Sequence, residues 1–232
     1  MPVEAPLEAL SVGEHLEFAV SWFGIPVGTA SLQVKETVEK AGRRAYHVVA
    51  LTKDNAFLSR IYPVSDEVHS YIDAERFCSL EFSKRVEEGR YRAHERIVYD
   101  YPHRKAYCES IKNNTHKTAD LPAGDVHDLI SAFYWFRLQK IEPGKELHLK
   151  LNDGDRNWDL DIAVVRKEKK ELRGMGAINT VMVEPKTRLK GILVERGRSW
   201  VWFTTDRRRL PVLVRIQTPY GSVTGALKEP KL

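Results

Sequence analysis

The eight histidines are the first candidates for catalysis or metal binding. They are scattered, and no pair has the HExxH spacing that places two imidazoles on one helix face around a metal ion. Gly174-Met-Gly176-Ala-Ile-Asn179 begins like a dinucleotide-binding loop, but it lacks the third glycine and opens a strand pattern. Gly221-Ser-Val-Thr-Gly225 has its serine misplaced for a GxSxG nucleophile elbow, and its glycines indicate a bend in a strand. We therefore predict no metal, no cofactor and no catalytic residue, and hence a protein that is not an enzyme.

Charged residues offer one cluster for the alternative that the chain is an undetected hydrolase, namely Asp66 and Asp206-Arg-Arg-Arg209. A charge run directly before Leu210-Pro211 is typical of a hairpin turn with solvated side chains. We accordingly predict that Arg207, Arg208 and Arg209 lie on the surface, where they could face anions.

The two cysteines, Cys78 and Cys108, lack the CxxC spacing of a metal site. Strand patterns at 77–86, 91–99 and 105–111 predict a meander in which the middle strand separates the cysteines by about 10 Å. A disulfide needs Cα atoms closer than about 7 Å, so we predict two free, partly buried thiols.

Aromatic residues are the most suggestive chemical feature. They either pack an ordinary core between a sheet and a helix, or line an apolar cavity large enough for an acyl chain, and the sequence leaves both readings open. The candidate ligand-binding residues are Trp22, Phe23, Phe133, Trp135, Phe136, Trp200 and Trp202.

Strands are predicted along most of the chain. Leu16, Phe18, Val20 and Trp22 alternate with small or polar residues, which is the period-two pattern of a half-buried strand. About a dozen such segments follow, and Asn152-Asp-Gly-Asp155 is a tight-hairpin signal. So large a sheet normally curls to bury one face. We predict a mainly β fold in one domain over residues 1–232, a large curved antiparallel sheet that forms a half-barrel or barrel.

One helix interrupts the strands, over approximately residues 125–138, with Asp125 as its N-cap. Phe133-Tyr-Trp-Phe136 distributes aromatic rings around the whole circumference of that helix. A helix of this kind must be buried on several sides, which predicts that it lies in the concave face of the curved sheet.

Composition excludes some classes of protein. The 42% hydrophobic content is sufficient for a core. No apolar stretch reaches the roughly 18 to 20 residues of a membrane-spanning helix. Residues 166–232 contain 16 Lys and Arg against 6 Asp and Glu, while residues 1–165 carry a net negative charge. A basic surface could attract anionic headgroups or nucleic acid, but no nucleic-acid-binding module is recognisable, so we predict no nucleic-acid partner. The chain as given begins without a secretion signal.

Four segments resemble a family of exported Gram-negative proteins known as domain of unknown function 3108. They are Gly13–Ala30, Tyr62–Asp66, Asp125–Arg137 and Trp202–Pro211. The resemblance implies a periplasmic or outer-membrane-associated protein whose signal peptide is missing from this chain, and it supplies no catalytic residues. At the level of the fold alone, a curved sheet around an apolar helix is similar to the periplasmic carriers that shuttle lipoproteins.

Two non-enzymatic functions compete. The leading hypothesis is an envelope protein that binds an apolar or amphiphilic, lipid-like ligand, with its basic C-terminal third facing an anionic membrane surface. The alternative is a structural or assembly partner of envelope proteins that uses a sheet edge or an aromatic patch as its interface.

Overall fold

The computed structural model describes residues 10–189, 192–193, 197–219 and 221–228. Their strands form one sheet in the spatial order β8-β7-β6-β5-β4-β3-β2-β1-β16-β15-β14-β12-β11-β10-β9, with β13 paired to β12. The strands are β1 His15–Trp22, β2 Ile25–Lys40, β3 Arg43–Asp54, β4 Ser65–Asp73, β5 Ser79–Glu88, β6 Tyr91–Asp100, β7 Lys105–Ser110, β8 Thr115–Asp120, β9 Val126–His127, β10 Glu146–Asn152, β11 Asn157–Leu172, β12 Gly176–Leu189, β13 Ile192–Leu193, β14 Arg198–Thr204, β15 Pro211–Thr218 and β16 Gly221–Leu227. The helices described are α1 Leu129–Leu138 and a 3-10 turn at Leu58–Arg60.

The predicted curved β fold is confirmed, and most of it is a meander. Neighbouring strands pair antiparallel, except that β9 runs parallel to β10. The predicted hairpin at residues 152–155 joins β10 to β11, with Asn152 opposite Asn157. In β1 the predicted inward face is buried at Leu16 and Phe18, whereas Trp22 emerges at the end of the strand.

The sheet curls until its two edge strands are close together. Only residues 121–125 connect β8, at one edge, to β9, at the other. Tyr99 of β6 donates a hydrogen bond from its hydroxyl to the Asn152 carbonyl of β10 (3.2 Å), and the Asn157 amide donates to the Asp120 carbonyl (2.6 Å). The described strands do not form a closed ladder, so the molecule is a barrel-like, open sheet.

The helix begins later than the sequence predicts. Asp125 is not its N-cap, because Val126 and His127 pair with β10 as strand β9. Asp128 is the N-cap instead, since its carboxylate accepts hydrogen bonds from the backbone amides of Ile130 (2.7 Å) and Ser131 (2.9 Å). The predicted start was wrong for a physical reason. Two residues such as Val126 and His127 are too few to show whether a segment has the period of a strand or of a helix.

α1 lies against the concave face and packs in several directions, as predicted. Tyr134 packs with Val34, Val48 and Ile72 from β2 to β4. Phe136 packs on the other side, in a cluster with Leu160, Ile162 and Phe203. The helix therefore joins the two halves of the sheet through apolar contacts.

The strand arrangement around the cysteines is as predicted, because β6 separates β5 from β7. Both thiols are free, Cys78 fully buried and Cys108 partly buried. Burial raises the pKa of Cys78 to about 11, and the thiolate is the reactive form. In a titration with a thiol reagent at pH 8 we expect Cys108 to react first and Cys78 only on unfolding. If no thiol reacts in the unreduced protein, whether native or unfolded, the prediction of two free thiols is wrong.

The two ends of the sheet carry different features. Ser199, Ile216, Val223 and Trp22 lie opposite one another on adjacent strands, so they mark one end, called here the Trp22 end. Glu14, just before β1, marks the opposite end, called the Glu14 end. In the described parts of the chain, no helix has both the length and the apolarity to cross a membrane.

Candidate functional site

A pocket of about 780 Å³ lies between α1 and the sheet. Its volume is within the range of roughly 300 to 1,000 Å³ that is typical of small-molecule sites. Most of its wall is apolar. The helix contributes Leu129, Ala132, Phe133 and Phe136, and the sheet contributes Leu151, Leu160, Ile162, Val183, Pro185, Val201, Phe203 and Ile216.

The polar lining residues of this pocket gather at the Trp22 end, where β12 ends and β14 begins. They are Glu184, Lys186, Thr187, Arg198 and Ser199. Arg198 donates from Nε (3.0 Å) and Nη2 (2.8 Å) to Oε1 of Glu184, and its guanidinium lies over the Trp200 ring at 4.9 Å. The Arg198–Glu184 pair thus lies beside Trp200, and the pocket has an apolar interior with polar groups such as Thr187 and Ser199 at its mouth, which suits an amphiphile with a hydrocarbon part and a polar head.

Two of the predicted ligand-binding residues, Phe133 and Phe136, line this pocket. Their rings contact Phe203, with centroids 5.7 Å and 4.8 Å away. Trp200 and Trp202 lie on the opposite face of β14, because side chains alternate along a strand and Val201 and Phe203 line the pocket. Trp202 packs instead under Lys170, whose ammonium is 4.6 Å from its ring. Val201 and Phe203 were not among the predicted ligand-binding residues, because the prediction selected the two tryptophans of this strand and the sequence does not show which face meets the helix.

The remaining three predicted aromatics lie in two further places. Trp135 lines a second pocket of about 720 Å³ together with His127, His148 and Asp161. Trp22 and Phe23 lie at the β1–β2 turn, where their rings are 5.5 Å apart and largely exposed. The structure therefore does not bring the seven predicted residues into one site.

The second pocket is polar, and several of its charged groups pair with one another. His148 Nδ1 lies 2.7 Å from Oδ1 of Asp161, whose other oxygen accepts from Arg188 Nε at 2.8 Å. Lys150 pairs with Asp159. Among the residues described, no group of three His, Cys, Asp or Glu side chains could hold a metal ion.

The charged cluster considered for hydrolysis stabilises local backbone. Asp66 accepts a hydrogen bond from the Glu87 amide (2.9 Å). Asp206 accepts from the Thr204 hydroxyl (2.7 Å) and the Arg209 amide (3.2 Å), which organises the β14–β15 turn. Arg207 is exposed as predicted, whereas Arg208 and Arg209 are only partly exposed.

Serine, histidine and aspartate also meet beneath the helix, but their geometry is not that of a catalytic triad. Asp128 accepts hydrogen bonds directly from the hydroxyls of Ser70 (2.8 Å) and Ser79 (2.7 Å), and the Ser131 hydroxyl is hydrogen-bonded to that of Ser79 at 2.7 Å. A triad requires the histidine between the acid and the serine, whereas here His127 lies to one side, with its Nδ1 3.5 Å from the Ser131 hydroxyl. All of these groups are buried, so the network anchors the helix N-terminus to β4 and β5.

A buried ion pair at the Glu14 end was missed by sequence reasoning. Arg137, with none of its surface exposed, donates from Nη1 (2.7 Å) and Nη2 (2.8 Å) to the carboxylate of Glu14. It also donates to the Arg208 carbonyl, and the Tyr134 hydroxyl donates to Glu14 (3.2 Å). The signal available was one arginine within an otherwise apolar helix. These bonds join β1, α1 and the β14–β15 turn.

Comparison with known proteins gives a family and a fold. The model of a family described as proteins of unknown function (DUF3108) matches residues 17–228. A β-barrel-like protein of domain of unknown function DUF1849 from Brucella abortus superposes with a TM-score of 0.62 at 10% identity, covering 96% of this chain and 98% of that one. That likeness supports the barrel-like fold alone. No curated protein matches the sequence.

Two further solved structures align with lower scores. A provisionally assigned exported protein with a YmcC-like fold from Bacteroides fragilis has a TM-score of 0.35 at 12% identity, covering 98% of this chain and 100% of that one. A provisionally assigned lipoprotein from Parabacteroides distasonis has a TM-score of 0.40 at 10% identity, with 100% of both chains covered. At these scores neither structure bears on the argument.

Proposed function

Because the chain belongs to the DUF3108 family of proteins of unknown function, its role must be inferred from its own site, and we propose that it binds a lipid-like ligand without chemical turnover. The observation that carries the proposal is the pocket of about 780 Å³ between α1 and the sheet. Its interior is apolar, so water inside it would gain few hydrogen bonds, whereas a hydrocarbon chain would be stabilised by leaving water.

The proposed location is the periplasm or the outer membrane. Its support is the resemblance of four segments to an exported Gram-negative family. The basic C-terminal third, proposed to face an anionic surface, is partly neutralised by ion pairs such as Arg188–Asp161 and Lys228–Glu17. The proposed ligand therefore interacts mainly through the apolar pocket.

The first test is mass spectrometry of an organic extract of the protein, purified without detergent from a bacterial periplasm. A lipid or fatty acid in stoichiometric amount is the expected result. An empty extract, together with no retention after soaking the protein in lipid, would make the pocket a plain packing defect.

A pocket-blocking variant tests the site itself. Ser199 is a small lining residue at the mouth, so Ser199→Trp should fill the entrance and weaken binding of the fluorescent fatty acid cis-parinarate at least tenfold. The matched control is Thr224→Trp, which adds the same ring on the opposite face, since Thr224 pairs with Arg215 and Arg215 with Trp200. Equal affinities for the two variants would place the ligand elsewhere.

An assembly role is the second candidate function. It is favoured by the exposed apolar side chains at the Trp22 end, including Phe23, Phe57 and Ile61, because large exposed apolar patches mark interaction surfaces. Co-purification of a specific envelope protein in a fixed ratio, lost when these side chains are replaced, would support it over ligand binding.

A further inference from the structure

The Trp22 end presents large apolar side chains at the tips of its turns. Phe23, Phe57 and Ile61 are 66%, 60% and 72% exposed, and Trp22, Ile25 and Tyr62 accompany them. In the described part of the chain, most other exposed apolar residues lie singly on strands or turns elsewhere, which is ordinary for a surface.

Hydrogen bonds hold these tips together as one surface. The Asn55 amide side chain donates to the Pro26 carbonyl (2.7 Å), and the Asn55 backbone amide donates to the Val27 carbonyl (2.8 Å). The Asn55 side chain also caps the turn that carries Phe57. Phe23 in turn bonds to the Ser222 carbonyl through its backbone amide (3.0 Å). The β1–β2 turn, the β3–β4 connection and the start of β16 are therefore joined by hydrogen bonds into one surface.

Phe23 lies at the tip of the β1–β2 turn, although its backbone conformation and its exposure to water are both unfavourable for a phenylalanine. Its φ is +49°, a left-handed conformation that costs a residue with a Cβ roughly 1 kcal/mol, and the position favours Asn or Gly. One side of its ring packs against Gly221, but the residue is still 66% exposed. A residue that is both strained and exposed points to a function for the ring outside the fold.

The scarcity of charged side chains at these turns favours a lipid surface as the partner. Segments 22–28, 55–63 and 216–223 contain one charged side chain in all, Arg60, and no acidic one. Trp, Tyr, Phe and Arg occur at protein interfaces as well as at membrane interfaces, but a protein interface normally has a polar rim, and the scarcity of charge in these segments favours a membrane.

The same surface is continuous with the pocket. Ser199 lies opposite Ile216, Ile216 opposite Val223, Val223 opposite Trp22, and Trp22 opposite Ile25. Directly opposed residues share one face of a sheet, so this row runs from the pocket mouth to the exposed tips over four strand spacings, about 19 Å. Ile216 both lines the pocket and is exposed.

We propose that the Trp22 end docks on the surface of a lipid bilayer, with Phe23, Phe57 and Ile61 inserted among the headgroups. The nearly uncharged, apolar turns of this end make the contact, and the basic C-terminal third is not required. Docking directs the row of Ile25, Trp22, Val223 and Ile216 toward the lipid, and so gives a hydrocarbon chain an apolar path to the pocket.

The test uses the full chain and flotation with vesicles of zwitterionic phosphatidylcholine. The wild type should float with the vesicles in 0.5 M salt, and Phe23→Ser/Phe57→Ser/Ile61→Ser should lower the bound fraction at least tenfold. The control Val12→Ser/Tyr107→Ser/Val165→Ser removes three exposed apolar side chains away from this surface and should bind as the wild type does.

Other outcomes would overturn the proposal. If the wild type does not float with the vesicles, the surface does not dock on lipid. If binding needs anionic lipid and disappears in 0.5 M salt, the basic C-terminal third makes the contact instead. A dimer in light scattering that the Trp22-end triple variant alone converts to a monomer, without vesicle binding, would assign the surface to a second copy of the chain. Ser199→Trp should weaken ligand binding without lowering flotation, so failure of ligand binding and failure of docking are separable.

Discussion

Glu14→Gln is expected to destabilise the protein by about 3 to 5 kcal/mol, one of the two largest effects that the structure predicts. The substitution keeps the shape of the side chain but removes the negative charge that faces Arg137, whose guanidinium is completely buried. An uncompensated buried cation cannot recover its hydration. Arg137→Met should cost a comparable amount, because it leaves the Glu14 carboxylate buried without its two strongest donors.

Urea unfolding followed by circular dichroism measures both effects. The matched control is Arg85→Met, which breaks the exposed Arg85–Glu87 pair (2.9 Å) and should cost less than about 1 kcal/mol. The double variant Glu14→Leu/Arg137→Met should be more stable than the sum of its single changes predicts, since no charge is then left unpaired. If Glu14→Gln lowers the free energy of unfolding by no more than Arg85→Met does, the buried ion pair does not stabilise the protein.

The sequence specified the architecture much better than the site. The period-two pattern of β1 and the turn residues at 152–155 are local signals, and the strands they predict are present. Glu14 and Arg137 are 123 positions apart, and neither neighbourhood indicates the other. The residues of the pocket wall could not be predicted from the sequence for a related reason. Which face of β14 meets the helix depends on the curl of the whole sheet, so Val201 and Phe203 line the pocket while the more conspicuous Trp200 and Trp202 do not.

The helix illustrates how local and distant constraints combine. Its all-round aromatic pattern correctly predicted burial on several sides, because that inference needs only the helical period. Its start depended on Ser70 and Ser79, two residues on β4 and β5 that hold the Asp128 carboxylate. An N-cap that is stabilised by distant side chains cannot be distinguished from Asp125 by local sequence alone.

Acid should destabilise the protein through His127, which is the second large effect. Burial lowers the pKa of His127 to about 4, against the opposing influence of Asp125 and a hydrogen bond with the backbone of Phe77. The unfolded chain, with an ordinary histidine pKa of 6.5, takes up the proton first. The stability that neutral His127 contributes is therefore fully present above pH 6.5 and is lost as the pH falls toward about 4. At about 1.4 kcal/mol per pKa unit, the loss amounts to about 3 kcal/mol.

The measurement is the difference between the wild type and His127→Phe in the free energy of unfolding, at several pH values from 7 to 4.5. A difference is needed because burial raises the pKa of Asp128, so that group stabilises the fold as the pH falls and offsets part of the wild-type slope. His127→Phe should lose stability less steeply below pH 6.5, by up to about 1.4 kcal/mol per pH unit. His116→Gln, which replaces an exposed histidine on β8, is the control and should keep the wild-type slope. Parallel profiles for the wild type and His127→Phe would mean that the His127 ring is hydrated in the folded protein, and that the joint between β9 and the helix is open to water.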